Sequence, residues 1–161
     1  METHVVFNQP PPLEDYNVFS ADRPLVEALD REGAGWARER TRAFGEIVGR
    51  RETIEWGCRA NEHRPVLRTH DRAGNRIDEV EFHPAWHSLL SLAVEHGLHA
   101  LPWIEPRPGA HVARAALFHT LAQVEAGVGC PPSMTSSAVP ALRAQPEVAA
   151  LWEPLLTSTS Y

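Results

Sequence analysis

The chain has 161 residues, 43% of them hydrophobic and 22% charged, which suits one globular domain with its own core. Its net charge of −6 argues against direct nucleic-acid binding, because such binding depends on clustered lysine and arginine. The two cysteines are far apart and predict free, buried thiols in a reducing, cytoplasmic setting. We expect neither a signal peptide nor a membrane span, because no apolar run approaches the ~20 residues needed.

Residues 1–19 predict an ordered but irregular arm ahead of a helical part at 20–161. Three consecutive prolines at 10–12 exclude a helix and favour an extended path. Large apolar side chains flank these prolines, and a disordered tail would have little use for them: Val5, Val6, Phe7, Val18 and Phe19. We therefore expect the arm to lie on an apolar surface of its own domain or of a neighbouring subunit.

The remaining sequence predicts a series of helices with short connections, which is typical of an all-α bundle. The first begins at Ser20 or Asp22, whose side chains can accept hydrogen bonds from free first-turn amides, and it ends at Gly33. Further helices are expected at about 36–48, 53–62, 84–97, 111–127, 130–142 and 147–156. Helical spacing predicts that four large side chains lie in the core: Trp86, Leu89, Leu117 and Leu121.

Residues 66–82 differ in character from the helical segments. The turn-forming sequence Asp-Arg-Ala-Gly-Asn at 71–75 is flanked by Val66 and Leu67 on one side and by Ile77 and Val80 on the other. This pattern favours a β-hairpin, and the imperfect alternation leaves an extended loop as the alternative.

Three groups of side chains could carry chemistry, and each has a simpler structural explanation. His83 and His87 have a metal-ligand spacing on a predicted helix, but without the protease glutamate we favour hydrogen bonds to backbone and neighbours. Glu95, His96 and His99 form a second cluster, and its histidines are expected to act as cations that interact favourably with a helix C-terminus. The hydroxyl run at 133–137 fits helix capping, because a GxSxG motif is absent. We therefore expect no catalytic residue and no metal site.

Five stretches of the chain carry a family resemblance. They are THVVFNQPPPLEDYNVFSADRPL at 3–25, REGAGWA at 31–37, VLRTHDRAGNRIDEVEFHPAWHSLL at 66–90, HVARAALF at 111–118 and AGVGCPPSMTSSAVPALRAQPE at 126–147. These resemble the N-terminal region of AidB-type adaptive response, or DNA alkylation response, proteins of the acyl-CoA dehydrogenase superfamily. The resemblance covers nearly the whole chain, with VFNQPPPLEDYN and DEVEFHPAWH as specific motifs.

The resemblance implies a three-part cytoplasmic flavoprotein of which this chain is the helical N-terminal domain. In the family, a β-barrel domain and a C-terminal helical domain follow, and FAD lies mainly between them and a neighbouring subunit. The flavin-binding glycine-rich segment, the catalytic glutamate and the DNA-binding region would lie beyond Tyr161. We therefore expect no cofactor in this chain alone, and we expect FAD and an acyl-type small molecule only in the full-length protein.

The resemblance also assigns roles to particular positions. Met134, Thr135 and Ala138 match residues that line the acyl pocket. Ser136 and Ser137 stand where the family usually has an aromatic residue and an alanine, so the pocket wall would be reshaped. The arm resembles the segment that contacts other subunits in such tetramers, which predicts these oligomer contacts: Phe7, Pro11, Pro12, Val18 and Phe19.

The expected role is therefore to cover the substrate side of a flavin site and to support oligomerisation, without catalysis by this chain alone. Its partner would be a second copy or a longer member of the family. The alternative is a free-standing protein–protein interaction module derived from that family.

Overall fold

The computed structural model describes residues 3–161, and these form a helical bundle with a small two-stranded sheet, as predicted. The helices are α1 Val18–Ala21, α2 Arg23–Arg31, α3 Arg38–Val48, α4 Arg51–Glu62, α5 Pro84–Glu95, α6 Leu101–Ile104, α7 Ala110–Ala122, α8 Cys130–Leu142 and α9 Pro146–Leu156. The strands are β1 Val66–His70 and β2 Arg76–Glu81, and short 3-10 turns at Gly35–Ala37 and Gly127–Gly129 lead into α3 and α8. Among these helices, none has both the length and the apolar character required to cross a membrane.

The helical part begins at Val18 rather than at residue 20. Asn17 caps α1 by accepting a hydrogen bond from the Ser20 amide at 2.9 Å, and Asp22 caps α2 by accepting one from the Leu25 amide at 3.1 Å. Asp22 is thus confirmed as a helix cap, whereas Ser20 lies inside the short helix α1.

Much of the predicted core is confirmed. Leu89, Leu117 and Leu121 are buried among α3, α5 and α7, together with Phe44. Trp86 is only partly buried, which corrects the prediction for this residue, and its ring stacks on that of Phe82 with the centroids 4.1 Å apart.

The end of the predicted arm packs on its own domain. Val18 and Phe19 are only 1% and 2% exposed and belong to the core, so the prediction that they contact another subunit is wrong. Two glycines permit this packing, because a Cβ at Gly45 would overlap the Phe19 backbone and one at Gly49 would overlap the Tyr16 carbonyl.

The other predicted contact residues of the arm, Phe7, Pro11 and Pro12, remain exposed. Their role in an oligomer stays a prediction. Residues 1 and 2 of the predicted arm lie outside the described residues.

The segment at 66–82 is a hairpin, which decides between the two alternatives. β1 and β2 pair antiparallel, with Val66 opposite Glu81 and Leu67 opposite Val80. The Asp71 carboxylate organises the turn by accepting hydrogen bonds from the side chain and the amide of Asn75, and these bonds lower the pKa of Asp71. Every residue of both strands is exposed, so the hairpin projects from the bundle.

Two details of the helices correct the sequence interpretation. The helix expected at 53–62 begins two residues earlier, at Arg51, whose amide donates to the Asp15 carboxylate at 3.0 Å. Cys58 and Cys130 are free thiols as predicted, but both are exposed, which corrects the expectation that they are buried.

Candidate functional site

The three predicted substrate residues lie together near the start of α8. Met134 and Ala138 are one helical turn apart, and Thr135 lies beside both. Met134 is 73% exposed, whereas Thr135 and Ala138 are half-buried. Thr135 lines a cavity beside α8.

This cavity, the Thr135 cavity, has a volume of about 240 Å³ and lies between α5, α8, α9 and the C-terminal segment. Its apolar walls come from Leu90, Val94, Pro131, Pro132, Leu155 and Leu156. Its polar groups come from Thr135, His99, Ser158, Ser160 and Tyr161. A mainly apolar cavity with a few polar side chains has the general character of a small-molecule site.

His99 is the polar group of this cavity that sequence reasoning did not place. It is 4% exposed, and its Nε2 donates to the Ser158 carbonyl at 2.9 Å, so the neutral ring carries its proton there. Burial lowers the pKa of His99, against the hydrogen bond to Ser158, and the nearby charge of Arg114 lowers it further. Nδ1 is therefore a lone-pair acceptor, and it has no partner in residues 3–161.

Burial also lowers the pKa of His96, which ends α5. The prediction that the histidines of this cluster act as cations at a helix end is therefore wrong for His96 and His99. Both rings are neutral at pH 7 because they lose water on folding without a carboxylate strong enough to offset that loss.

The hydroxyl run at 133–137 lies inside α8, which begins at Cys130 and has no side-chain cap, and Ser136 is the buried residue of the run. Pro140 lacks an amide hydrogen, so it cannot donate to the Ser136 carbonyl four residues earlier. The indole Nε1 of Trp103 donates to that carbonyl instead, at 3.0 Å, and lies 3.3 Å from the Ser136 hydroxyl. The Ser137 hydroxyl donates to the Ser133 carbonyl at 2.9 Å. These groups stabilise a proline-containing helix, and the capping prediction is wrong.

The histidines at the start of α5 have structural partners. His83 Nδ1 accepts a hydrogen bond from the Ala85 amide at 3.1 Å and so caps α5. His87 Nδ1 lies 2.6 Å from the Tyr161 hydroxyl. Within residues 3–161 no group of three or more potential ligands is placed to hold a metal ion.

The turn ahead of α8 shows whether this chain could cradle a flavin diphosphate. The Glu125 carboxylate accepts hydrogen bonds from the amides of Gly127 at 2.8 Å and Val128 at 2.6 Å. A phosphate at a helix start needs free amides of this kind. The carboxylate occupies them and would repel a phosphate, so the residues of this turn do not fit FAD. Sequence reasoning missed Glu125, because nothing in its spacing marks it as the partner of this turn.

Large apolar side chains remain exposed on α8 and α9, which pack against each other beside the Thr135 cavity. We call them the α8–α9 surface: Met134, Leu151, Trp152 and Leu155. Leu155 also lines the cavity, so the surface and the cavity are continuous.

Comparison with known proteins identifies relatives over nearly all of the chain. Residues 8–161 match the family model of the adaptive response protein AidB N-terminal domain. The chain is 47% identical over 142 residues to AidB of Escherichia coli (strain K12), named as an acyl-CoA dehydrogenase. This match covers 88% of the chain and 26% of that relative, so the chain spans about a quarter of the relative's length.

Two solved structures share the fold. The apo form of Bd2924 superposes with a TM-score of 0.82 at 27% identity, covering 96% of this chain and 32% of that one. Caenorhabditis elegans ACDH-11 in complex with C11-CoA gives a TM-score of 0.78 at 21% identity, covering 99% of this chain and 29% of that one. The second likeness concerns the fold alone.

Proposed function

Because the chain belongs to the family of AidB N-terminal domains, we propose that it serves as the helical N-terminal domain of an acyl-CoA-dehydrogenase-like flavoprotein in the response to DNA alkylation. It covers the substrate side of a flavin site that other domains build, and it supports their oligomer. It acts in the cytoplasm, binds no nucleic acid itself and is not a catalyst alone.

The observation that carries this proposal is the exposed α8–α9 surface beside the Thr135 cavity. Exposed apolar patches of this kind mark protein contacts. Leu155 belongs to both the surface and the cavity, so a further domain that covers Leu155 would also border the cavity that Thr135 lines. An acyl-type small molecule held between the two domains would then contact Thr135.

The Glu125 turn supports the assignment of FAD to the other domains. Its amides are already bonded to a carboxylate, so this turn offers no free donors for the flavin diphosphate. In this arrangement the domain forms part of the wall of the substrate site and excludes water from it, and it supplies no reacting group.

A chimera tests the proposal. Residues 1–161 replace the corresponding region of Escherichia coli AidB, and the purified chimera is measured for flavin absorbance and for its assembly state. We expect retained flavin and an assembly like that of AidB. Met134→Glu should weaken both flavin retention and assembly, because it places a charge in the covered surface. Ala43→Glu, on the exposed side of α3, is the control and should weaken neither.

Loss of flavin in the unsubstituted chimera, or equal behaviour of the two variants, would contradict this function. If the isolated chain instead forms a defined oligomer while the chimera loses flavin, the interaction module becomes the better description.

A further inference from the structure

The segment that follows α9, residues 158–161, forms part of the wall of the Thr135 cavity. Ser158, Ser160 and Tyr161 line the cavity together with Leu90 and Val94 of α5. All four residues of the segment are exposed, and none belongs to a helix or a strand. We call this segment the strap. Because no helix or sheet holds its backbone, its position depends on its contacts with the rest of the domain.

Two hydrogen bonds of different character fasten the strap. At one end, the buried ring of His99 donates from Nε2 to the Ser158 carbonyl at 2.9 Å. At the other end, the Tyr161 hydroxyl lies 2.6 Å from Nδ1 of His87, and Tyr161 is 58% exposed. A hydrogen bond away from water is electrostatically stronger than one that water can replace. The Ser158 end is therefore held more firmly than the Tyr161 end.

The His87 ring is positioned to hold the looser end of the strap. The rings of Trp86 and Phe82 meet it nearly at right angles, with centroids 5.2 and 6.1 Å from its own. His87 lies about one turn of α5 before Leu90, which lines the cavity. The contact between His87 and Tyr161 therefore fastens the strap beside the α5 wall of the cavity.

We propose that the strap is a gate of the Thr135 cavity, with its Ser158 end as the hinge and the hydrogen bond between Tyr161 and His87 as the latch. The fastened strap closes part of the cavity wall, and release of Tyr161 opens that part to a small molecule. A movable wall of this kind admits a ligand and afterwards excludes water from it. That the ligand is an acyl-type molecule rests on the function proposed above, whereas the movement of the strap does not.

Thiol labelling of the full chain measures how often the gate opens. Thr135→Cys is introduced after the exposed Cys58 and Cys130 have been changed to serine, and its rate of reaction with N-ethylmaleimide is recorded. This rate follows the population of the open state when opening and closing are faster than labelling. Tyr161→Phe keeps the ring but removes the latch hydroxyl, so it should raise the rate by about 2- to 10-fold, the equilibrium effect of one hydrogen bond. Tyr16→Phe, at the other tyrosine of the chain, should leave the rate unchanged.

Deletion of residues 158–161 provides a second variant. It removes both fastenings and should raise the labelling rate beyond that of Tyr161→Phe, while the circular dichroism spectrum is retained because α9 ends at Leu156. A cysteine introduced at the largely exposed Met134 should react at one rate in all of these backgrounds.

The proposal is overturned if Tyr161→Phe or the deletion leaves the labelling rate of Thr135→Cys at its parental value, or if Tyr16→Phe raises it as much. These rates do not depend on flavin. The gate is therefore upheld if the rates change as expected while the chimera loses flavin, and in that case only the function proposed above fails.

Discussion

At the scale of single residues, His99 ties the C-terminal segment to the core. Its Nε2 donates to Ser158, and its ring forms part of the Thr135 cavity. This arrangement requires the neutral ring, because a second proton on Nδ1 would place an unpartnered charge in a buried site next to the cation of Arg114. The histidine therefore makes the stability of the domain sensitive to pH.

We predict that the domain loses stability between about pH 7.5 and 5.5. Burial holds the folded-state pKa of His99 below its ordinary value of 6.5, so the unfolded chain takes up the proton first as the pH falls. The contribution of neutral His99 to the free energy of unfolding is therefore fully present well above pH 6.5 and declines as the pH falls below 6.5. His96 contributes in the same direction. The measurement is the urea midpoint at both pH values.

His99→Gln should reduce this pH dependence, because glutamine can still donate to Ser158 but does not titrate. His70→Gln, on the exposed hairpin, is the matched control and should leave it unchanged. An equally steep loss of stability in His99→Gln and the parent would show that other groups are responsible.

His99 and Arg114 make contacts that could not be predicted from the sequence. Asp22 could be recognised as a cap because its partner, the Leu25 amide, is three positions away. The partners of His99 and Arg114 are 59 and 16 positions away, and no local pattern specifies them. The sequence could therefore predict which residues of α8 belong to the candidate site. It could not predict the cavity or its buried histidine, because these depend on how separate elements pack together.

At the scale of secondary-structure elements, α8 carries the predicted substrate residues and contains an internal proline. Pro140 interrupts its hydrogen bonding, and Trp103 of α6 compensates by donating to the Ser136 carbonyl. The sequence predicted the helix at 130–142 correctly. It could not identify Trp103 as the compensating donor, because the indole arrives from a separate helix.

A double-mutant cycle tests this compensation. Trp103→Phe removes the donor and leaves a buried carbonyl without a partner, which should cost about 1–3 kcal/mol of unfolding free energy. Pro140→Ala restores the backbone donor within α8, so the same substitution should cost less in that background. Urea unfolding of the four proteins gives the coupling free energy. Additivity within about 0.5 kcal/mol would mean that Trp103 acts only through its packing.

At the scale of the whole molecule, the domain has a closed core but an incompletely covered exterior. Large apolar groups are exposed in the arm, on the hairpin and on the α8–α9 surface. The periodicity of the helices predicted the core, since α5 and α7 repeat apolar residues at helical spacing. It could not separate the two halves of the arm, because Phe7 and Phe19 are chemically alike and the close approach of residues 16–19 to Gly45 and Gly49 is a tertiary contact.

The exposed half of the arm gives the last prediction. Phe7 is 91% exposed, and Val5 and Leu13 are also largely exposed, so residues 3–13 bury little apolar surface on their own domain. Each such side chain contributes about 1.5–3 kcal/mol when fully buried. The neighbouring prolines restrict the unbound arm, which lowers the entropy lost on binding. We therefore predict that the full chain self-associates or binds a longer family member, and that sedimentation velocity over a range of concentrations detects the complex.

Deletion of residues 1–13 should weaken that complex and leave the helical circular dichroism signal unchanged, because the docking of residues 14–19 beside Gly45 and Gly49 is retained. Phe7→Ser should reproduce part of the effect, whereas Leu67→Ser, which removes an exposed apolar group from the hairpin, should not. A parent chain that stays monomeric both alone and with full-length Escherichia coli AidB would rule out the arm as an interface. A deletion that melts the domain would show instead that residues 3–13 stabilise their own core, because a segment needed only for association can be lost without loss of the fold.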